Sequence, residues 1–139
     1  MSSPERSLPE NELLAELAQF TGDVERFKHA LNRRLLFTPG VRHLAERARC
    51  FWLIDAVATW IGSREFAAAA QRDLRIGGIH FWHLVVATDG SARLTAVADS
   101  GEEPFIRQAI EFTDFLLTEI HLYCAFDGEH WTLMLPSEY

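Results

Sequence analysis

The chain has 139 residues, enough for one domain, and its composition is that of an ordinary globular protein, with 48% hydrophobic and 24% charged residues. Its net charge of −7 argues against binding to nucleic acid or to an anionic membrane surface, because both depend on clustered positive charge. No apolar run approaches the roughly 20 residues that span a bilayer, and no signal peptide is visible. Cys50 and Cys124 have apolar neighbours, so we expect buried, reduced thiols in a cytoplasmic protein.

Helical spacing of apolar residues marks the first half of the chain, about residues 8–75. Residues 7–10 (SLPE) resemble a capping box that opens a short helix with apolar positions at 13, 14, 17 and 20. Residues 21–23 (TGD) can start a second helix, whose apolar positions would be Val24, Phe27, Leu31 and Leu35.

A third helix is predicted from Thr38 to about Ile61. Thr38 can cap it, and Pro39 suits its first turn because the missing N–H has no helical partner there. Ser63 can cap a fourth helix that carries the alanine run at residues 67–70.

After Gly77 and Gly78 the apolar period becomes two, which predicts a sheet over about residues 79–136. Asp-Gly pairs at 127–128 and 89–90 are typical of tight hairpin turns. With two-residue loops, the second hairpin places Cys124 opposite Trp131 and Leu122 opposite Leu133. The first places three further pairs opposite one another: Trp82 and Val97, Leu84 and Thr95, His80 and Asp99. The segment 105–113 supplies one more strand.

The elements predict a single α+β domain over residues 1–139. Three to four N-terminal helices pack on one face of a mostly antiparallel, five-stranded sheet. That much helix covers only one face, so an apolar outer face is expected to remain for a partner or a second copy.

Five sequence elements resemble a small bacterial family that is catalogued only as a domain of unknown function. They are LAQFTG (17–22), LFTPGVRHLAERA (36–48), FWLIDAVA (51–58), EFTDF (111–115) and LPSEY (135–139). The resemblance covers nearly the whole chain and implies one complete domain. The family tends to have Pro where Leu116 stands here. The resemblance implies no activity, cofactor or catalytic residue.

Asp55 is the one acid in the apolar run at residues 49–62. At 100° per residue it falls close to Leu44, Ala48 and Phe51, so we expect it to face the core. A buried carboxylate needs a partner. The structural hypothesis is a pair with Arg33 or Arg34, with a histidine, or with backbone N–H groups. The alternative is a catalytic acid or base.

Other chemistry has little support in the sequence. His80 and His83 are three apart on a strand and therefore point to opposite faces, and neither H-E-x-x-H nor C-x-x-C occurs. We therefore expect no metal and no cofactor. The Ser and Cys residues lack a nucleophile motif, and Gly77 and Gly78 lack the rest of a phosphate loop.

The leading hypothesis for function is a non-catalytic, cytoplasmic interaction module that binds a protein partner or itself, without nucleic acid or membrane. The alternative is a small enzyme that uses Asp55 as acid or base in a cleft between the third helix and the sheet. At the chain end, we expect residues 137–139 to fold back against the domain and the carboxylate of Tyr139 to meet an arginine.

Overall fold

Four helices and seven strands are formed by residues 8–22 and 24–139, which are the residues that the computed structural model describes. The expected capping residues Ser7 and Asp23 lie outside them. The helices are α1 (Leu8–Leu17), α2 (Pro39–Arg47), α3 (Phe51–Ile61) and α4 (Arg64–Arg72). The strands are β1 (Phe27–Lys28), β2 (Leu35–Phe37), β3 (Ile79–Val86), β4 (Ala92–Val97), β5 (Ile106–Ile110), β6 (Glu119–Phe126) and β7 (Trp131–Met134). Each described helix falls short of the length and apolar character that crossing a membrane requires.

The strands form one mixed sheet in the order β1-β2-β7-β6-β3-β4-β5. The prediction of an α+β fold is confirmed, but the predicted sheet of five antiparallel strands has two strands fewer than the observed sheet. The five C-terminal strands pair antiparallel as expected. Two more come from the supposedly helical half, and β2 pairs parallel to β7.

The predicted second helix is wrong. Its segment forms the short β1–β2 hairpin instead, and two of its proposed apolar positions, Val24 and Leu31, are almost fully exposed. Leu35 is completely buried because β2 lies beside β7. Pairing with a strand nearly 100 residues later therefore overrides the local helical spacing.

The predicted third helix is two helices. The chain breaks between α2 and α3 at Arg49, which has a left-handed backbone with φ of 52°. The backbone N–H of Cys50 then donates to the carbonyl of Ala45, which closes the turn. The caps were predicted correctly, since Thr38 accepts from Val41 N–H and Ser63 accepts from Phe66 N–H.

Both hairpin registers differ from the prediction. Asp127 accepts from the backbone N–H groups of Glu129 and His130, so the loop has four residues, and Cys124 lies opposite Leu133. This shift of two keeps every side chain on its expected face.

The first hairpin has a three-residue loop, closed by the Ala87 N–H bonding to the Ser91 carbonyl, with Gly90 at φ of 89°. The register shifts by one, which reverses the faces of β4. Trp82 therefore lies opposite Ala96 and Leu84 opposite Leu94, and these side chains are buried in place of Thr95 and Val97.

The inner face of the sheet packs on the helices around a fully buried His80. Its ring lies 4.9 Å from Trp131 and 5.2 Å from Phe66 of α4, between ring centroids. Neither ring nitrogen of His80 has a hydrogen-bond partner. Burial lowers the pKa of His80 from 6.5 to about 3, so the core holds a neutral imidazole.

The chain end is held at the start of α2 by the buried carboxylate of Glu138. One oxygen accepts from the Thr38 hydroxyl (2.5 Å) and from Leu135 N–H (3.0 Å), and the other accepts from Gly40 N–H (3.1 Å). The expectation that the end folds back is confirmed. The buried acid is Glu138, however, while Tyr139 remains 76% exposed.

Replacing Glu138 with alanine should destabilise the domain by about 2–4 kcal/mol, because the first turn of α2 loses a carboxylate and buried donors lose their acceptor. The melting temperature should fall by on the order of 10 °C. Ser137→Ala, next to it but exposed, is the control and should melt with the wild type. Equal melting of Glu138→Ala and Ser137→Ala would contradict this role.

His80 should make the fold sensitive to acid. Its folded pKa lies below its unfolded value, so its contribution is complete above pH 6.5 and is lost as the pH falls, at roughly 1.4 kcal/mol per unit. His80→Leu should flatten the decline of the urea midpoint between pH 6.5 and 4.5, whereas His130→Leu should not. Parallel curves for His80→Leu and wild type would show that His80 is not responsible.

Candidate functional site

Asp55 lies on the solvent side of α3, with its side chain 69% exposed. The expectation that it faces the core is wrong because the break at Arg49 resets the helical phase. The residues of α3 that do face the core are Leu53, Ile54, Val57 and Ala58. Asp55 therefore needs no buried cation, and its hydrogen-bond partner is neither Arg33 nor Arg34.

The partner of Asp55 is His29, whose Nε2 lies 2.8 Å from the Asp55 Oδ1. The other ring nitrogen of His29, Nδ1, accepts from the backbone N–H groups of Leu31 and Asn32. An acceptor nitrogen carries no proton, so Nε2 holds the proton and its N–H donates a hydrogen bond to the carboxylate of Asp55. This largely buried imidazole is a neutral link between the turn at residues 29–32 and α3.

Two open depressions adjoin Asp55. One, of about 680 Å³, lies between α3 and β5 and also holds Gln108 and Asp114. The other, of about 610 Å³, holds His29, Asn32 and Arg33. A solvent-exposed carboxylate can accept a proton from a bound molecule here. His29 is not available as its partner base, because both ring nitrogens are already engaged.

The second candidate region is the outer face of the sheet, on the side opposite His80 and Trp82. Cross-strand pairing aligns its side chains in three rows. The rows are Tyr123–Phe81–Val97, then His121–His83–Thr95–Arg107, then Glu119–Val85–Arg93–Ala109. These eleven residues define the outer face, and all are half-buried or exposed.

Aromatic rings run across the first row. Phe81 and Tyr123 meet edge to face at 4.9 Å, and Tyr123 meets Tyr139 at 5.5 Å, between ring centroids. Shallow hollows of about 520 and 560 Å³ lie at the two ends of the face, the first beside Phe81 and the second beside Val85. Such a surface can receive side chains of another molecule.

Three potential ligand groups meet at the centre of the outer face. The rings of His83 and His121 stack with centroids 4.0 Å apart and planes 7° apart. The Nε2 of His83 lies 3.1 Å from an oxygen of Glu119. Burial and the neighbouring His83 lower the pKa of His121 below its ordinary value, and Glu119 partly opposes this.

This cluster was missed by the sequence interpretation, which sought ligands close together along the chain. His80 and His83 do point to opposite faces, as predicted. The partner of His83 is instead His121, directly opposite on β6. The available signal was the spacing of Glu119 and His121, two residues apart on one strand and hence on one face.

The family model of DUF6876, described as a family of unknown function, matches residues 11–139. The chain belongs to this family. The membership indicated by the sequence motifs is therefore confirmed, and it brings no activity with it. No curated protein matches the chain. A crystal structure of a protein of unknown function from Enterococcus faecalis is similar with a TM-score of 0.44 and 16% identity, over 84% of this chain and 93% of that one.

The cysteines lie apart from both candidate regions. Cys50 and Cys124 are free and buried, as expected. Burial raises the pKa of Cys50 to about 12 and also raises that of Cys124, so neither is a ready thiolate.

Asp55→Ala should cost less than about 1.5 kcal/mol, because it removes one hydrogen bond to an exposed carboxylate. His29→Ala should cost more, about 2–3 kcal/mol, because two backbone N–H groups lose a largely buried acceptor. Urea unfolding of the two variants measures the difference. A loss of 3 kcal/mol or more in Asp55→Ala would mean that the carboxylate is structurally essential after all.

Proposed function

We propose that this protein is a non-catalytic, cytoplasmic interaction module that binds a second copy of itself through the outer face. The observation that supports it is a sheet face of half-buried aromatic and aliphatic side chains, continuous from Tyr123 to Val97. Burying apolar surface of this kind against a partner removes it from water, which makes the binding free energy more favourable.

The charge of the outer face supports the proposal that its partner is a second copy of the same chain. The whole chain has a net charge of −7, so most of its surfaces repel one another. The outer face holds two arginines, Arg93 and Arg107, and one acid, Glu119. The face therefore carries a formal charge of only about +1, so two copies of it repel far less than two acidic surfaces would, and a two-fold axis would bring their apolar side chains together.

The residue types also suit an interface. Tyr, Phe and Arg are enriched where proteins bind one another, whereas Lys, Glu and Asp are depleted. The outer face has all three favoured types and no lysine. The exposed ring of Tyr139, which packs on Tyr123, extends this surface at one end.

Self-association is measured by sedimentation equilibrium. We expect the wild type to form dimers with a dissociation constant below about 100 µM. Val85→Glu, which places a charge at an exposed position of the outer face, should weaken the dimer by at least about tenfold. Leu74→Glu is the matched control, because Leu74 is an exposed apolar residue in the turn after α4.

A wild type that stays monomeric at this concentration, or equal dimerisation of Val85→Glu and Leu74→Glu, would contradict the proposal. Both variants must melt with the wild type for the comparison to hold. If self-association is contradicted in this way, the outer face would have to bind a different protein partner.

A second candidate function, an enzyme with Asp55 as acid or base, is favoured by the cleft of about 680 Å³ between α3 and β5. Asp55→Asn keeps the shape of the side chain and removes its basicity. A hydrolytic activity of the wild type that disappears in Asp55→Asn, at unchanged melting temperature, would favour this function over the module.

A further inference from the structure

We propose that His83, Glu119 and His121 form a binding site for a divalent transition metal ion such as Zn²⁺ at the centre of the outer face. The three residues lie on the adjacent strands β3 and β6, in the middle of the sheet. Their ligand atoms all lie within 4.8 Å of one another. The site is reachable from solvent, since each of the three side chains is partly exposed.

The backbone holds this arrangement in place. His83 is directly opposite His121, and Glu119 precedes His121 by two residues, so alternation along β6 puts all three side chains on one face. A site on paired strands of a central sheet is better defined than one on a loop.

The distances are close to those that a metal requires. Zinc binds imidazole nitrogen and carboxylate oxygen at about 2.0–2.2 Å with tetrahedral angles, which puts neighbouring ligand atoms about 3.3–3.6 Å apart. The Nε2 of His83 and the oxygen of Glu119 are already 3.1 Å apart. Turning the ring of His121 about its side-chain bonds is the movement that brings the third ligand in.

The ligand types select the class of ion. Two imidazoles and one carboxylate suit zinc and neighbouring transition metals, whereas calcium and magnesium prefer oxygen ligands alone. Three protein ligands leave a position for water or for a group of a bound molecule.

An ion pair between protonated His83 and Glu119 explains less of the arrangement. It engages two of the three groups and leaves His121 stacked on a positively charged ring. A metal ion engages all three.

The inference does not depend on self-association, because the three ligands come from one chain. The hollow of about 520 Å³ beside the site is lined by both histidines and by Phe81, Asp99 and Tyr123. A small molecule lying in this hollow would be next to the metal.

Isothermal titration of the full chain with ZnCl₂, free of any histidine tag, tests the site. We expect one zinc per chain with a dissociation constant of about 10 µM or lower. His121→Gln and Glu119→Gln should each weaken binding by at least about tenfold, since losing a ligand costs no less than losing an outer partner. His130→Gln, in the loop after β6, should bind like the wild type.

Zinc should also raise the melting temperature of the wild type and of His130→Gln, but not that of His121→Gln. A nuclear magnetic resonance titration of the wild type needs no variant: zinc should shift the ring signals of His83 and His121 and leave those of His130 unchanged.

Absence of binding at about 100 µM zinc would overturn the inference. So would ring signals of His83 and His121 that do not move, or equal binding by His121→Gln and His130→Gln. Sedimentation of zinc-free protein measures dimerisation separately. If the protein is monomeric but binds one zinc ion, the proposed self-association is wrong and the metal site is supported.

Discussion

The carboxylate of Glu138 at the start of α2 is the contact on which the attachment of the two N-terminal strands, β1 and β2, depends. It binds Thr38 and Gly40, and the neighbouring Thr38 N–H donates to the carbonyl of Leu133 in β7. This joins the last residues of the chain to the start of α2, where β2 runs parallel to β7. The approach is so close that a Cβ on Gly40 would lie 2.5 Å from the carboxylate, which explains glycine inside a helix at this point.

The break at Arg49 decides where Asp55 lies. One uninterrupted helix would have placed Asp55 in the core, where a carboxylate requires a cation. Because α3 starts afresh at Phe51, Asp55 faces solvent and meets His29. A buried charge is thereby replaced by an exposed acid and a neutral imidazole, a cheaper arrangement that leaves open clefts on both sides of Asp55.

Both proposals for the outer face rest on the register between β3 and β6. That register sets Phe81 beside Tyr123 and His83 beside His121. A slip of one residue would send these side chains into the core and bring His80 and Trp82 out. Trp82 and His80 would then lose their burial on the inner face, where His80 packs against Phe66 and Trp131.

Local signals in the sequence determined the α+β class, the caps at Thr38 and Ser63, the position of both hairpins and which side chains of β6 and β7 face the core. These features arise from interactions within a few residues, which the sequence displays directly. Tertiary structure decided the rest. The strand at Leu35 needs β7 beside it, and the break at Arg49 depends on how α2 and α3 pack. The cluster of His83, Glu119 and His121 joins strands that are nearly 40 residues apart. Pairings over such distances are set by the burial that the whole fold makes possible, and no single segment carries that information.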